Sequence, residues 1–169
     1  MRKRFISLIL FTLLAIPAFA LAGMGGGTLL AVGEKAPDFT FKDLNGAEGS
    51  LYTEAEGQPL LLLFVQRTCR SCQREMDFLS ELKAKNPALN VFGVFVDAVA
   101  RDFPQFLAEK NVTFRFMWDA EYEIADLFGV SFTPTSFLLD SERKVSQVYR
   151  GWSKKGEKLA SDFEEISSK

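Results

Sequence analysis

Residues 60–76 have the sequence LLLLFVQRTCRSCQREM and include both cysteines of the 169-residue chain. Leu60–Val65 is an unbroken apolar run that is too short for a helix, which indicates a strand buried on both faces. From Cys72 onward, apolar residues recur at helical spacing until Asn86 and Pro87 end the pattern. The two cysteines therefore lie where a buried strand passes into a helix.

The rest of the chain alternates between apolar strands and amphipathic helices. Asn45-Gly46 is a turn signal between short β-like segments, which predicts an N-terminal hairpin. Further strands are predicted at Val91–Val96, 114–117, Thr135–Leu139 and 145–149, and further helices at 102–110, 121–128 and 156–166. Such alternation implies right-handed crossovers. We therefore predict an α/β fold with a central mixed, mostly parallel sheet flanked by helices, in which the last hairpin adds an antiparallel edge.

The composition excludes several classes of function. Hydrophobic residues make up 47% of the chain, which is enough to form a packed core. The net charge is -2 and the basic residues are scattered, so we expect no nucleic-acid partner. The absence of histidine removes the commonest general base and the commonest metal ligand. We predict no metal site and no cofactor.

The N-terminus has the pattern of a secretory signal. Arg2, Lys3 and Arg4 precede a mostly apolar run over 5–22. Small residues at positions 18, 20 and 22 allow cleavage after position 20 or 22, and we favour Ala22. The alternative is an uncleaved membrane anchor, because the apolar run is near the lower length limit of a membrane helix.

The chain is predicted to divide into three parts. Residues 1–22 form the signal segment, and residues 23–32, which include three consecutive glycines, form a flexible lead-in. Residues 33–169 form one continuous domain, because no linker or repeat interrupts them. We therefore expect a periplasmic or otherwise extracytoplasmic protein that is either released or held by an N-terminal membrane anchor.

The cysteine pair Cys69-Arg70-Ser71-Cys72 carries the predicted chemistry. A sulfur at the start of a helix lies near unsatisfied backbone N–H groups, which favour its thiolate form. Arg67, Arg70 and Arg74 add nearby positive charge that acts in the same direction. Two intervening residues let the second thiol reach the first, so Cys69 is predicted to attack a partner and Cys72 to resolve the mixed disulfide.

Other roles for the pair are weaker. A fixed disulfide that only staples the fold is the main alternative, although so short a loop removes little entropy from the unfolded chain. A zinc site needs four ligands, and this chain has two cysteines and no histidine. Covalent haem attachment needs a histidine directly after the second cysteine, where Gln73 stands.

Three motifs resemble the thioredoxin superfamily, and specifically its exported TlpA/ResA branch. They are Gly33–Phe39 with the sequence GEKAPDF, the strand-Cys-x-x-Cys-helix unit, and FGV at 128–130 followed by TPT at 133–135. The resemblance extends from about residue 33 to 169 and implies a thioredoxin-like fold. It also implies that the helix and strand near 102–117 are an insertion relative to a minimal thioredoxin.

The resemblance assigns further site residues. Pro134 is expected to be a cis proline facing the cysteines, and Thr133 before it to pair with an extended client peptide beside Cys69. Arg70 is predicted to contact the client as well. Glu75 occupies a position where the family often has an acidic residue; partial burial would raise its pKa above about 4.3 and let it exchange protons with the resolving thiol. Alternatively, Glu75 is a first-turn carboxylate that complements the helix dipole.

The sequence departs from the family pattern at three positions. Leu63 replaces the buried acid of a minimal thioredoxin, six residues before the first cysteine. Thr68 replaces the usual tryptophan before the first cysteine, and Ser71 replaces the frequent proline before the second. Proton handling is therefore expected to come from Glu75, water or another group.

The predicted function is thiol-disulfide exchange with protein clients outside the cytoplasm. By the resemblance, the protein is a reductant that a membrane thiol reductant keeps reduced, and its client is a disulfide such as that of an apocytochrome c. A peroxiredoxin-like peroxidase is one alternative, but its Pro-x-x-x-Thr-x-x-Cys pattern is absent, since Leu62 and Gln66 hold those positions before Cys69. A binding module with a structural disulfide at Cys69–Cys72 is the other.

Overall fold

The computed structural model describes residues 27–99, 102–152 and 156–168. It contains the predicted hairpin, the alternating strands and helices, and the final hairpin and helix, in the predicted order. The elements are β1 Thr40–Lys42, β2 Glu48–Ser50, β3 Leu60–Val65, α1 Arg70–Lys85, β4 Val91–Val96, α2 Phe103–Glu109, β5 Arg115–Asp119, α3 Glu123–Leu127, β6 Thr135–Leu139, β7 Val145–Arg150 and α4 Gly156–Ser167.

The central sheet has five strands in the order β5-β4-β3-β6-β7. β3 pairs with β4, and β4 with β5, in parallel. β6 pairs antiparallel with both β3 and β7. The predicted mixed sheet with an antiparallel hairpin at one edge is confirmed. Two of its four strand pairs are parallel and two are antiparallel, however, so parallel pairing does not predominate as predicted. The reason is that β6 runs antiparallel to β3.

Strand β3 supplies side chains to both hydrophobic layers of the domain. All six of its residues are buried, as the unbroken apolar run predicts. Leu61, Leu63 and Val65 belong to the layer beneath α1 and α4, which also contains Cys72. The alternate residues of β3 belong to the other layer, with the N-terminal hairpin and α3. The central strand therefore anchors the segment that leads into the cysteines.

Asp43 joins the N-terminal hairpin to the edge of the central sheet. Its Oδ1 accepts hydrogen bonds from the backbone N–H groups of Asn45, at 2.9 Å, and Ala47, at 2.8 Å. Its Oδ2 accepts one from Arg115 Nε on β5 at 2.8 Å. Burial raises the pKa of Asp43, but these hydrogen bonds outweigh burial and hold the pKa below its ordinary value. One carboxylate thus stabilises both the turn and its docking.

Arg143 is a buried arginine that the sequence patterns did not identify. It lies in the turn between β6 and β7 with a φ of 65° and only 3% of its surface exposed. Its guanidinium donates to carbonyl oxygens of the segment before β3, namely those of Leu51, Glu54, Ala55 and Gln58. Arg143 therefore helps to attach that segment to the sheet, together with the ion pair of 2.7 Å between Glu54 and Arg115 on β5.

The packed part of the chain begins before the predicted boundary at residue 33. Leu29 and Leu30 pack against the layer formed with α3, and the Leu30 N–H donates to the Phe128 carbonyl at 3.1 Å. The predicted signal segment 1–22 and residues 23–26 of the lead-in lie outside the described residues. Within the ranges that are described, none of the helices has the length and apolarity needed to span a bilayer.

The Asp43 hydrogen bonds predict a pH-dependent contribution to stability. Asp43→Asn removes the charged acceptor, so we expect the free energy of unfolding at neutral pH to fall by about 1 to 3 kcal/mol. Because the folded-state pKa is lowered, this contribution is present above the unfolded-state pKa and is lost as pH falls through the folded value. Urea unfolding of both proteins across this pH range measures the difference.

Asp77→Asn is the matched control for this experiment. Asp77 makes only a 3.4 Å ion pair with Lys110 on a half-exposed surface, so its loss should change stability by less than about 1 kcal/mol. An equal effect of the two substitutions, or an Asp43→Asn effect that persists at acid pH, would contradict the assignment.

Candidate active site

Cys69 occupies the junction between the central strand and the first helix. β3 ends at Val65, and Cys69 is the N-cap of α1, with its backbone N–H donating to the Gln66 carbonyl at 3.3 Å. Its sulfur accepts a hydrogen bond from the Cys72 N–H at 3.1 Å. A sulfur at this position faces the positive end of the helix dipole, which favours the thiolate over the thiol.

Cys69 and Cys72 form a disulfide, as predicted, with Cα atoms 5.2 Å apart. The two residues differ in access to solvent: Cys69 is partly exposed, whereas Cys72 is fully buried in the layer beneath α1. An external thiol or disulfide can therefore reach only the Cys69 sulfur.

The Thr133–Pro134 loop lies against the outer sulfur. The Thr133–Pro134 peptide bond is cis, as predicted. The Thr133 carbonyl oxygen is 3.6 Å from Cys69 Sγ, and the Thr133 hydroxyl hydrogen-bonds to Gln66 Oε1 at 3.1 Å. The β3–β6 ladder begins at Thr135 at this end, so the backbone of Thr133 lies beyond the paired residues.

The three arginines near the cysteines have different surroundings. Arg67 Nη1 is 2.6 Å from Asp102 Oδ2, next to α2, so its charge is offset by a carboxylate. Arg70 is exposed at the first position of α1, directly after Cys69. Arg74 is exposed one helical turn later. Among the residues that the structure describes, no carboxylate pairs with Arg70 in this way.

Glu75 is completely buried, which is more than the partial burial predicted. It lies in the second turn of α1, whose first turn has no acidic residue, so the alternative role beside the helix dipole is not supported. Its Oε1 accepts a hydrogen bond from the Ser136 hydroxyl on β6. Removal from water favours the neutral form of a carboxyl, whereas a donated hydrogen bond favours the charged form.

Ser136 is a site residue that the sequence analysis missed. It pairs across the sheet with Leu63, the position at which a minimal thioredoxin has its buried acid. The Glu75 carboxyl therefore reaches the same part of the sheet from the helix above it. The available signal was a hydroxyl in a fully buried strand, since such a group needs a hydrogen-bond partner.

The described residues offer no group of three or more His, Cys, Asp or Glu side chains that could hold a metal ion. A mixed sheet whose central strand leads into a helix capped by Cys-x-x-Cys, with a cis-proline loop opposite, defines a thioredoxin-like fold with a disulfide at its site.

Comparison with known proteins agrees with this description. The AhpC/TSA family matches residues 32–148. The thiol-disulfide oxidoreductase ResA of Geobacillus thermodenitrificans is 35% identical over 129 residues, covering 73% of this chain and 72% of that protein. ResA of Geobacillus kaustophilus is 31% identical over 126 residues, covering 73% and 72%. A crystal structure described as a thiol:disulfide interchange protein DsbE of Chlorobium tepidum has 29% identity and a TM-score of 0.75, covering 81% of this chain and 98% of that one.

The chain belongs to the AhpC/TSA family of the thioredoxin superfamily and, within it, to the thiol-disulfide oxidoreductases. The predicted superfamily, fold and type of enzyme are thereby confirmed. Its partners, in coarse terms, are protein thiols and disulfides. The roles of the individual site residues are inferences from the geometry above.

The contact between Glu75 and Ser136 predicts that each side chain influences the rate of disulfide exchange. Glu75→Gln replaces a buried carboxyl with an amide that cannot exchange protons, so we expect the exchange rate at neutral pH to fall by about a hundredfold. Ser136→Ala removes the hydroxyl that donates to this carboxyl, so the dependence of the exchange rate on pH should differ from that of the parent. The pH dependence of the exchange rate with a model disulfide measures both.

Two further variants test the specificity of this prediction. Ser136→Thr keeps the hydroxyl and should retain most of the parent profile. Ser80→Ala removes another serine, which donates to the Met76 carbonyl on the same helix at 2.8 Å, and should leave the profile unchanged. A Ser136→Ala profile that coincides with the parent would show that the hydroxyl does not influence Glu75.

Proposed function

We propose that Cys69 is the attacking sulfur and Cys72 the resolving sulfur of an exported reductant of protein disulfides. The observation that carries this proposal is the difference in burial between the two sulfurs. Cys69 is partly exposed and receives a backbone hydrogen bond at the helix N-terminus, whereas Cys72 has no exposed surface. Nucleophilic access and thiolate stabilisation therefore coincide at Cys69.

The reaction starts from the reduced dithiol. The Cys69 thiolate attacks one sulfur of the client disulfide, forms a mixed disulfide and releases the other client sulfur as a thiolate. Cys72 then loses its proton and attacks Cys69, which forms the internal disulfide and releases the second client thiolate. The client gains two electrons, and the protein ends in the disulfide form that the structure describes.

Client binding is assigned to the backbone of Thr133. Its carbonyl lies 3.6 Å from Cys69 Sγ and beyond the last paired residue of β6. An extended client segment that hydrogen-bonds to this backbone would bring its own sulfur next to Cys69. Arg70, which follows Cys69 on the exposed start of α1, borders the same position.

Glu75 is assigned to proton transfer with Cys72. The two residues are three positions apart on α1 and are both fully buried, so their side chains lie on one face of the helix. Cys72 must lose a proton before it attacks Cys69, and it has no access to bulk water. A buried carboxyl within reach can accept that proton and return it in the next cycle.

Measurement of the reduction potential separates an exchange enzyme from a structural disulfide. A value above about -300 mV supports exchange, since structural disulfides in secreted proteins usually lie below it. Fast oxidation of the thiols by hydrogen peroxide would instead favour the peroxidase alternative. The reductive direction and an apocytochrome c client are supported by the family resemblance alone.

The division of roles between the cysteines predicts opposite outcomes for two substitutions. Cys69→Ser should abolish insulin reduction, because no other sulfur is accessible. Cys72→Ala should leave Cys69 able to attack, so the variant accumulates a mixed disulfide with its client. Non-reducing electrophoresis and mass spectrometry of the purified variant identify the adduct. Adducts that form on Cys69→Ser, or none on Cys72→Ala, would contradict the assignment.

Export and the supply of electrons complete the proposal. The basic and apolar start of the chain and the alanine pattern before position 23 support a signal segment. A reductant outside the cytoplasm needs an electron source, because the surroundings are oxidising. We assign this supply to a membrane thiol reductant that converts the Cys69–Cys72 disulfide back to the dithiol.

Export predicts a defined N-terminus for the mature protein. When the full chain is expressed in a bacterium, the periplasmic fraction should contain protein that begins at Gly23, as determined by N-terminal sequencing. Replacing Ala20 and Ala22 together with leucine should block cleavage. Full-length protein in the membrane fraction would support the uncleaved anchor, and full-length protein in the cytoplasm would contradict export.

A further inference from the structure

The surface around the disulfide has a charge opposite to that of the whole chain. Three segments form this part of the molecule: 66–75 contains both cysteines, 129–136 contains the loop against Cys69, and 149–152 lies beside that loop. Together they contain four arginines, at positions 67, 70, 74 and 150, and one acidic residue, Glu75. Because Glu75 is completely buried, no carboxylate of these segments reaches the surface. The chain as a whole has a net charge of -2.

Three of these arginines carry charge that the fold does not neutralise. Arg67 is paired with Asp102. Arg70, Arg74 and Arg150 are exposed, and within residues 27–99, 102–152 and 156–168 none of them forms an ion pair. We refer to Arg70, Arg74 and Arg150 as the arginine rim.

The placement of Arg70 and Arg74 is unfavourable for the helix that carries them. They lie four residues apart on α1, so their like charges repel on one exposed face. They also lie at the N-terminal end of α1, where the helix dipole disfavours cations. Helix stability therefore does not explain this pair, whereas an anionic partner would relieve both effects.

Arg150 is held beside the loop that is assigned to client binding. Its guanidinium lies 4.5 Å from the ring centre of Phe132, which is 41% exposed and directly precedes Thr133. The adjacent Gly151 N–H donates to the Pro134 carbonyl at 2.8 Å. The rim thus borders Cys69 on the α1 side and Thr133 on the other.

We propose that the arginine rim selects clients whose reactive disulfide is flanked by Asp or Glu residues in an extended segment. The inference rests on the proposed function, because it assumes that the client lies along Thr133 beside Cys69. Guanidinium groups bind carboxylates through paired hydrogen bonds, and the exposed Phe132 ring offers an apolar contact between them. Complementary charge also accelerates encounter with an acidic client.

The test compares three synthetic peptides that share one Cys-x-x-Cys disulfide. Its flanking residues are acidic in the first peptide, serine in the second and lysine in the third. The measured quantity is kcat/KM for reduction of each peptide by the reduced full chain, at low and high salt. The ratio of the acidic to the serine peptide is the readout, because any effect of an arginine on the reactivity of Cys69 cancels in this ratio.

The ratio should be about tenfold at low salt and should fall towards one at high salt, as expected for attraction between exposed charges. Arg70→Gln, Arg74→Gln and Arg150→Gln should each lower the ratio, and Arg150→Lys should restore part of it. Lys85→Gln is the matched control, since it removes one exposed charge at the opposite end of α1 and should leave the ratio unchanged.

Two results would overturn the inference in different ways. Equal reduction of all three peptides, or an equal loss of the ratio in Lys85→Gln, would refute the arginine rim while leaving disulfide exchange intact. Reduction of none of the peptides by the fully reduced protein would refute the proposed function and the inference with it.

Discussion

The hydrogen bond from the Cys72 N–H to Cys69 Sγ links the chemistry of the protein to the start of its main helix. A helix N-cap is usually an oxygen of Ser, Thr, Asp or Asn, which satisfies one of the free N–H groups of the first turn. Here the reactive sulfur takes that position. The sulfur that caps the start of the helix is therefore also the proposed nucleophile, and the N–H group that it satisfies is the one that would stabilise its thiolate form. Strand β3, buried on both faces, holds the residues that lead into this cap.

Parts of the fold with a strong apolar signal were predictable from the sequence. Leu60–Val65, Val91–Val96 and Thr135–Leu139 form strands with the predicted bounds, since a proline or a polar residue flanks each of them. The start of α1 at the cysteines follows from helical periodicity alone. The equal number of parallel and antiparallel strand pairs was harder to predict from the sequence, because an apolar run looks the same in a parallel and an antiparallel strand. The direction of β6 depends on its entry beside β3 rather than on its own sequence.

The polar contacts within the fold were much harder to predict. Glu75 was singled out through a family resemblance, but its partner Ser136 lies 61 positions away and meets it only after β6 pairs with β3. Arg143 binds carbonyl groups up to 92 positions away, and no periodicity distinguishes it from an exposed turn residue. Such contacts arise from tertiary packing, which places a buried polar group and then requires a partner for it. Local sequence patterns identify the polar side chains but not the partners to which they hydrogen-bond in the fold.

The complete burial of Cys72 also bears on how the reduced protein would respond to an oxidant. A small oxidant such as peroxide meets only the Cys69 sulfur, where it forms a sulfenic acid. Cys72, three residues away on the buried side of the helix, can then attack the oxidised Cys69 sulfur, which forms the internal disulfide and releases the oxygen as water. This intramolecular step competes with further oxidation to sulfinic and sulfonic acids, which are largely irreversible. The placement of one sulfur at the surface and the other beneath it would thus convert an oxidised Cys69 into a disulfide, which a reductant can reduce again.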